Sequence, residues 1–406
     1  MIETREHKVF YGYIVVLLSF VIMAVTWGIF YTYGIFFKPM SIEFAWSRAT
    51  TSGAFSLAFI LGGFLGIIAG RMSDRFGPRI VITISGLALG SGYLLMSQVN
   101  AAWQLYLFYA LIGAGLGGGY VPTISAIARW FSKRRGAMTG IAMSGISVGI
   151  MVAPPVSNWL IDDYGWRISY IAIGAVVVIA MLLSAQFLKR DPDKLGLTSY
   201  GNNPDDLETV NPEGSVYSLK SAIYTRQFWL LCLMFSSLEF SADSIMVHIA
   251  PHITDLSFSA GSAAAVLAVI GGANIIGRVL MGNVSDKIGS RHTFIVCAGA
   301  LLIALLWLLF AREMWAFYPF AIVFGFAFGG YGALISLLAA DLFGLKSLGV
   351  ILGSINFTIT IGAAIGPAVA GLIFDISGSY QPAFLACTAL SLISIISALL
   401  LKPIGR

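Results

Sequence analysis

Arg278 lies inside an uncharged stretch, residues 260–280, with no acidic residue within four positions of it. A guanidinium near mid-bilayer costs about 2.5–3.5 kcal/mol on insertion scales, so its presence points to a task, and the task that fits is holding an anion. The rival reading, a snorkelling side chain neutralised by Asp286, must bridge eight residues, about 12 Å of helix rise. Two carboxylates, Glu239 and Asp243, share a second apolar run. A spacing of four puts both on one helix face, where they are costly unless protonated or hydrogen-bonded. They are candidates to carry a proton, or else a structural pair bonded to Ser236, Ser237 or a neighbouring helix. His248, further along the same run, can hold a proton or donate to a carboxylate. The hydroxyls of Tyr31, Tyr33, Tyr120 and Tyr331 could complete a small polar pocket, although most membrane tyrosines pack or anchor at interfaces.

The elements that must position these groups are transmembrane helices. The chain is 58% hydrophobic and only 11% charged, whereas soluble domains carry about 25% charged residues. Apolar runs recur at about 11–37, 49–70, 79–98, 102–128, 136–161, 166–188, 226–250, 260–282, 292–311, 314–340, 347–373 and 380–401. Each has the length a bilayer demands of a helix, roughly 17–25 residues, and none shows the alternation of a barrel strand. Twelve transmembrane helices are expected, and no cleavable leader. Cys232, Cys297 and Cys387 fall inside these runs without paired spacing and read as packing residues. The glycine-rich segments 113–119 and 325–332 lack the G-x-x-x-x-G-K-[ST] pattern of a phosphate loop and suit close helix approach instead. No H-E-x-x-H, C-x-x-C or G-x-S-x-G occurs, so neither enzyme chemistry, nor a metal, nor a cofactor is expected.

Outside Arg278, only Lys38, Arg48, Arg167 and Arg312 among the 24 basic residues fall on one set of connections. The rest share the set that includes both ends, so both termini are expected in the cytoplasm. The net charge of +5 is then a topology signal, and nucleic-acid binding is not expected. The sequence also repeats. Gly70-Arg-Met-Ser-Asp74-Arg75-Phe-Gly77-Pro-Arg79 follows the second run, and Gly282-Asn-Val-Ser-Asp286-Lys-Ile-Gly289-Ser-Arg291 follows the eighth, offset by 212 residues. Two six-helix bundles of like orientation, residues 1–188 and 223–406, are expected around a cytoplasmic linker, 189–222, with little structure of its own.

The loop Gly70 to Arg79, with its echo ending at Arg291, resembles the cytoplasmic loop motif of the major facilitator superfamily, and the resemblance covers the whole chain. It implies the fold of that superfamily, all-α with a pseudo-two-fold between halves. Asp74, Arg75 and Arg79 would latch neighbouring helix ends, Gly70 and Gly77 would allow a tight turn, and Asp286 would repeat the pattern. Phe10-Tyr-Gly-Tyr13 and Trp130-Phe-Ser-Lys133-Arg134-Arg135-Gly136 resemble the two signature segments of proton-coupled monocarboxylate transporters, in particular bacterial lactate transporters. That resemblance implies that Arg278 binds the substrate carboxylate. Two positions depart from it. Asn274 stands where animal members carry an aspartate, and Tyr31 where they carry a lysine. Proton coupling would then fall to Glu239 and Asp243, with Asn274 and His248 adding donors to the anion.

The expected function is proton-coupled symport of a small monocarboxylate of the lactate or pyruvate class by a monomer in lipid, through alternating access around a midplane site. A carboxylate exchanger of the oxalate and formate type is the first alternative, although the eleventh run offers no second cation for a dicarboxylate. A passive anion channel or a ligand sensor is the second.

Overall fold

The computed structural model describes residues 10–131, 134–192, 198, 200, 218–344 and 348–402, with the side chains of Asp74, Arg135, Gly136, Asp286, Leu348 and Gly349 outside the described set. In lipid a backbone satisfies its own polar groups only as a helix or a closed barrel, and this chain takes the first route. The helices are α1 (Tyr11–Met23), a π-helical turn (Ala24–Gly28), α2 (Tyr33–Phe44), α3 (Arg48–Phe76), α4 (Pro78–Met96), α5 (Ala102–Trp130), α6 (Arg135–Phe187), α7 (Leu219–Ile223), α8 (Arg226–Asp255), α9 (Ala260–Ile288), α10 (Ser290–Phe310), α11 (Met314–Gly332), α12 (Ile335–Phe343), α13 (Leu348–Ser377) and α14 (Gln381–Leu400). Eleven helical stretches among the described residues are long and apolar enough to cross a membrane. One of them, α6, contains Gly165 in a non-helical conformation (φ 80°, ψ 158°), where two predicted runs join without a loop. Twelve crossings result, in the two bundles expected of an all-α membrane protein.

The 212-residue repeat is visible in atomic detail. Ser47 caps α3 by accepting from Thr50 N, and Ser259 caps α9 by accepting from Ser262 N. Gly77 and Gly289 end those same helices at φ 87° and 83°, a left-handed conformation that suits glycine. Arg79 then bonds Gln186 at the end of α6, while Arg291 donates to the carbonyls of Ala398 and Leu399 (2.9 and 2.6 Å) at the end of α14. Each arginine therefore clasps the last helix of its own bundle, at the negative end of the helix dipole.

The glycine-rich segments set helix spacing. A Cβ built on Gly117 of α5 would lie 2.7 Å from the backbone of Gly62 and Gly66 on α3, and Gly329 of α11 is pressed likewise on the Asn274 backbone of α9. Replacing Gly117 by alanine is expected to cost about 1–3 kcal/mol by overpacking, read as a lower unfolding temperature in detergent. Gly299→Ala, where a Cβ meets nothing within 4 Å, serves as the neutral control.

Between the bundles, α3 packs on α13, α6 on α9, and α2 on α8. Two crossings are broken near their centres. The first passes through the π-helical turn and a hydrogen-bonded turn at Tyr31–Thr32 before α2 begins; the tenth breaks at Ala333–Leu334 between α11 and α12. At one end of the first bundle, Phe10, Tyr11 and Trp130 form an aromatic cluster joined by Tyr200, whose N–H donates to the Trp130 carbonyl. In the described part of the linker, Tyr200 pairs with Phe131 and packs against the rings of Phe10 and Phe131, and Leu219–Ile223 is helical, capped by Ser218. Its remaining residues, 193–197, 199 and 201–217, lie outside the described set.

Candidate functional site

The two helix breaks face each other across the bundle interface, and each presents a tyrosine. Tyr331, two residues before one break, donates its hydroxyl to Glu239 Oε2 at 2.7 Å. Tyr31, at the other, faces Asp243. Neither oxygen of Asp243 forms a well-shaped hydrogen bond with any described residue, although the side chain is fully buried. Each carboxylate therefore lies against one of the two tyrosines, and burying either as an anion would cost several kcal/mol. Glu239 and Asp243 are one turn apart on α8, as their spacing requires.

Arg278 opposes them from α9. Its guanidinium interacts electrostatically with Tyr120, Glu239, Tyr31 and Tyr331, and its Nη2 lies 4.0 Å from where a Cβ on Gly332 would sit. Its Nε has no hydrogen-bond partner among the described residues. Asn274, one turn away, accepts from Ser147 Oγ of the other bundle (2.6 Å), which leaves its buried Nδ2 also without a partner among them. Buried donors are nearly always paired in native structures, so two free N–H groups on one helix face form a cradle shaped for acceptor oxygens. Tyr120 and Arg278 are part-buried.

Of the residues singled out in the sequence, the structure gathers Arg278, Asn274, Glu239, Asp243, Tyr31, Tyr120 and Tyr331. His248 is held elsewhere. Its Nε2 donates to the Pro367 carbonyl (2.8 Å) and its Nδ1 meets Tyr380 Oη (3.0 Å), so both ring nitrogens are occupied. Tyr33 bonds the Thr51 carbonyl and packs on Tyr109 within the first bundle. Among the loop residues, Gly77 and Arg79 take the structural parts described above. Arg75 lies over the Phe76 ring at 5.2 Å, and Gly70 abuts Val121 of α5. The side chains of Asp74 and Asp286 are outside the described set, and with them the snorkelling alternative for Arg278.

A group that sequence reasoning missed ties the two bundles together at the end where α3 begins. Arg48 Nη2 lies 2.6 Å from Asp255 Oδ2, with Lys38 Nζ 3.4 Å from the same carboxylate. Asp375 of α13 accepts from the backbone N–H groups of Arg48 and Ala49 (2.8 and 2.7 Å), capping α3 from the opposite bundle. The Arg48 guanidinium also bonds Tyr380 and stacks 3.8 Å over Phe374. The available signal was that Lys38 and Arg48 are two of the four basic residues on the connections that exclude both ends of the chain. Arg48→Ala is expected to shift the carrier toward the form open at this end by about 1–2 kcal/mol, a factor of roughly 5–30. Maleimide labelling of Ala250→Cys should rise accordingly.

A bundle pair with two broken crossings around a buried charge cluster defines an integral membrane carrier scaffold. The profile of the Major Facilitator Superfamily matches residues 16–280 and 229–405, and the chain belongs to that superfamily. Monocarboxylate transporter 12 of Homo sapiens is 24% identical over 93% of this chain and 78% of its own length. Monocarboxylate transporter 7 of Homo sapiens is 25% identical over 97% and 86%. The uncharacterized MFS-type transporter YhjX of Escherichia coli (strain K12) is 26% identical over 83% and 82%. A crystal structure of a bacterial homologue of the human lysosomal transporter Spinster, inward-facing and occupied, superposes with a TM-score of 0.75 at 16% identity, covering 97% of this chain and 96% of that one. The protein is accordingly a multi-pass membrane transporter and not an enzyme.

Proposed function

We propose that this transporter is a secondary carrier of a small monocarboxylate of the lactate or pyruvate class, moved together with a proton by alternating access. The observation that carries the reading is the cradle on α9, the unpartnered Nε of Arg278 beside the unpartnered Nδ2 of Asn274. Charge-assisted bonds from a guanidinium are strong and suit a planar carboxylate. Similarity to monocarboxylate transporters over nearly the full chain supports the same cargo. Tyr120 and Tyr331 border the anion, and His248 belongs to the outer closure rather than to the cargo.

Glu239 and Asp243 carry the proton. Two carboxylates and one guanidinium are balanced when one proton is resident, and an incoming anion restores balance only if a second proton arrives with it. A neutral loaded site then crosses with little cost from the membrane field, which acts at about 2.3 kcal/mol per charge per 100 mV. The carrier works as a monomer in the inner membrane with both termini cytoplasmic, its bundles spanning 1–188 and 223–406 about the 189–222 linker. The cytoplasmic loop residues Gly70, Asp74, Arg75, Gly77, Arg79 and Asp286 serve gating. An exchanger for dicarboxylates would want a second cation, and α13 holds no basic residue between 348 and 377.

Uptake of labelled lactate into proteoliposomes under an inward proton gradient tests this directly. Saturable, gradient-driven accumulation with trans-acceleration is the expected result. A linear leak would instead mark a channel, no flux a ligand sensor, and exchange indifferent to the gradient an anion exchanger.

A further inference from the structure

Trp27 carries a third buried donor without a partner. Its indole Nε1 has no hydrogen bond among the described residues, and the side chain belongs to the π-helical turn of the first crossing. Such single π-turns inside helices gather at functional sites, because the extra residue re-aims a side chain. Three contacts fix its depth. Tyr31, which faces Asp243, donates its N–H to the Trp27 carbonyl at 3.2 Å, one turn away. The neighbouring Thr26 packs on Gly119, where a Cβ would lie 2.9 Å from its methyl, and the next residue, Tyr120, interacts with Arg278. The indole also rests on Phe59 (5.6 Å, 56°), one turn from Gly63, which meets Thr360 of the other bundle. Trp27 therefore sits at the level of Arg278 and near the interface, on the opposite bundle.

We propose that Trp27 is a specificity residue whose indole N–H donates to the oxygen on C2 of a 2-oxo or 2-hydroxy acid while Arg278 holds the carboxylate. This rests on the transport reading given above. One substrate then bridges the two bundles, its carboxylate on α9 and its second oxygen on the first crossing. An acid without that oxygen leaves the indole unpaired, and sites built to bond a substrate oxygen discriminate against analogues that lack it. Tryptophan is suited to the part, since it donates one hydrogen bond and accepts none.

The test is the ratio of labelled pyruvate uptake to labelled propionate uptake at limiting concentration, in proteoliposomes of the natural chain and of Trp27→Phe. The two acids share a three-carbon skeleton and differ at C2. The natural chain is expected to favour pyruvate by about tenfold, the reach of one good hydrogen bond, and Trp27→Phe to bring the ratio close to one. If Trp27→Phe is not recovered in membranes, Trp27→Leu, which also removes the N–H, is read in its place. A ratio unchanged by the substitution, or uptake of both acids lowered equally, overturns the assignment while leaving monocarboxylate transport standing. A natural chain that carries neither acid overturns the transport reading, and the role of Trp27 with it.

Discussion

Arg278→Ala abolishes saturable lactate uptake, with a loss of about 100-fold or more, and Arg278→Lys loses most of it. Hydrogen bonds to a charged group contribute about 1.5–3 kcal/mol each, so losing a two-pronged grip on a carboxylate amounts to roughly 3–4 kcal/mol, or two to three powers of ten. Lysine keeps the charge but not the planar fork, and an ammonium cannot reproduce two parallel bonds from one side chain. The alanine change also leaves Glu239 without its nearest cation, since the guanidinium interacts with that carboxylate across the cluster. Surface expression and the melting temperature in detergent separate a folding failure from a binding failure. An Arg278→Ala carrier that takes up lactate at the natural rate would show that the anion sits elsewhere.

Much of this geometry was already written in the chain. The 212-residue offset between Gly77 and Gly289 becomes a shared left-handed turn, and the offset glycines Gly117 and Gly329 become equivalent close contacts, because helix ends and helix spacing are set locally by residue type. The spacing of Glu239 and Asp243, and of Asn274 and Arg278, was legible for the same reason, since a helix converts a separation of four into adjacency. Contacts between bundles were not. Arg48 meets Asp255 and Asp375 across more than 200 and 300 residues of chain, and no periodicity links the start of one helix to a helix end that distant. The placement of His248 is the same case. Its neighbours Tyr380 and Pro367 belong to the last two crossings, so its ring nitrogens were already engaged in a way its own helix did not reveal. The break at Tyr31–Thr32 lacks both proline and glycine and is stabilised by Thr32 bonding the Ile29 carbonyl (2.7 Å), a signal too weak to separate from an ordinary helical threonine.

The double substitution Glu239→Gln with Asp243→Asn is expected to remove proton-driven accumulation while sparing lactate-for-lactate exchange. A gradient of one pH unit is worth about 1.4 kcal/mol, and with one proton per anion it sustains about tenfold accumulation; the double variant should fall to equilibration. The reasoning is charge balance at the centre of the bundle. With both carboxylates gone, Arg278 alone is cationic when empty and neutral when loaded, so the anion itself supplies the balance and no proton is required. The empty form then carries an uncompensated charge through the transition, which slows its return and confines the carrier to exchange. Either single substitution leaves one carboxylate able to alternate between charged and protonated forms, so coupling persists, more slowly where Tyr331 loses its carboxylate partner in Glu239→Gln. The measurements are accumulation ratio under a pH gradient and counterflow at equal pH on the same vesicles. Tenfold accumulation in the double variant would move the proton to another group, whereas loss of counterflow would make these carboxylates part of the anion site. The single-variant results discriminate further. If Asp243→Asn alone uncouples the carrier, Glu239 is a fixed countercharge to Arg278 and the exchanging proton belongs to Asp243, the carboxylate the structure leaves without a well-formed bond.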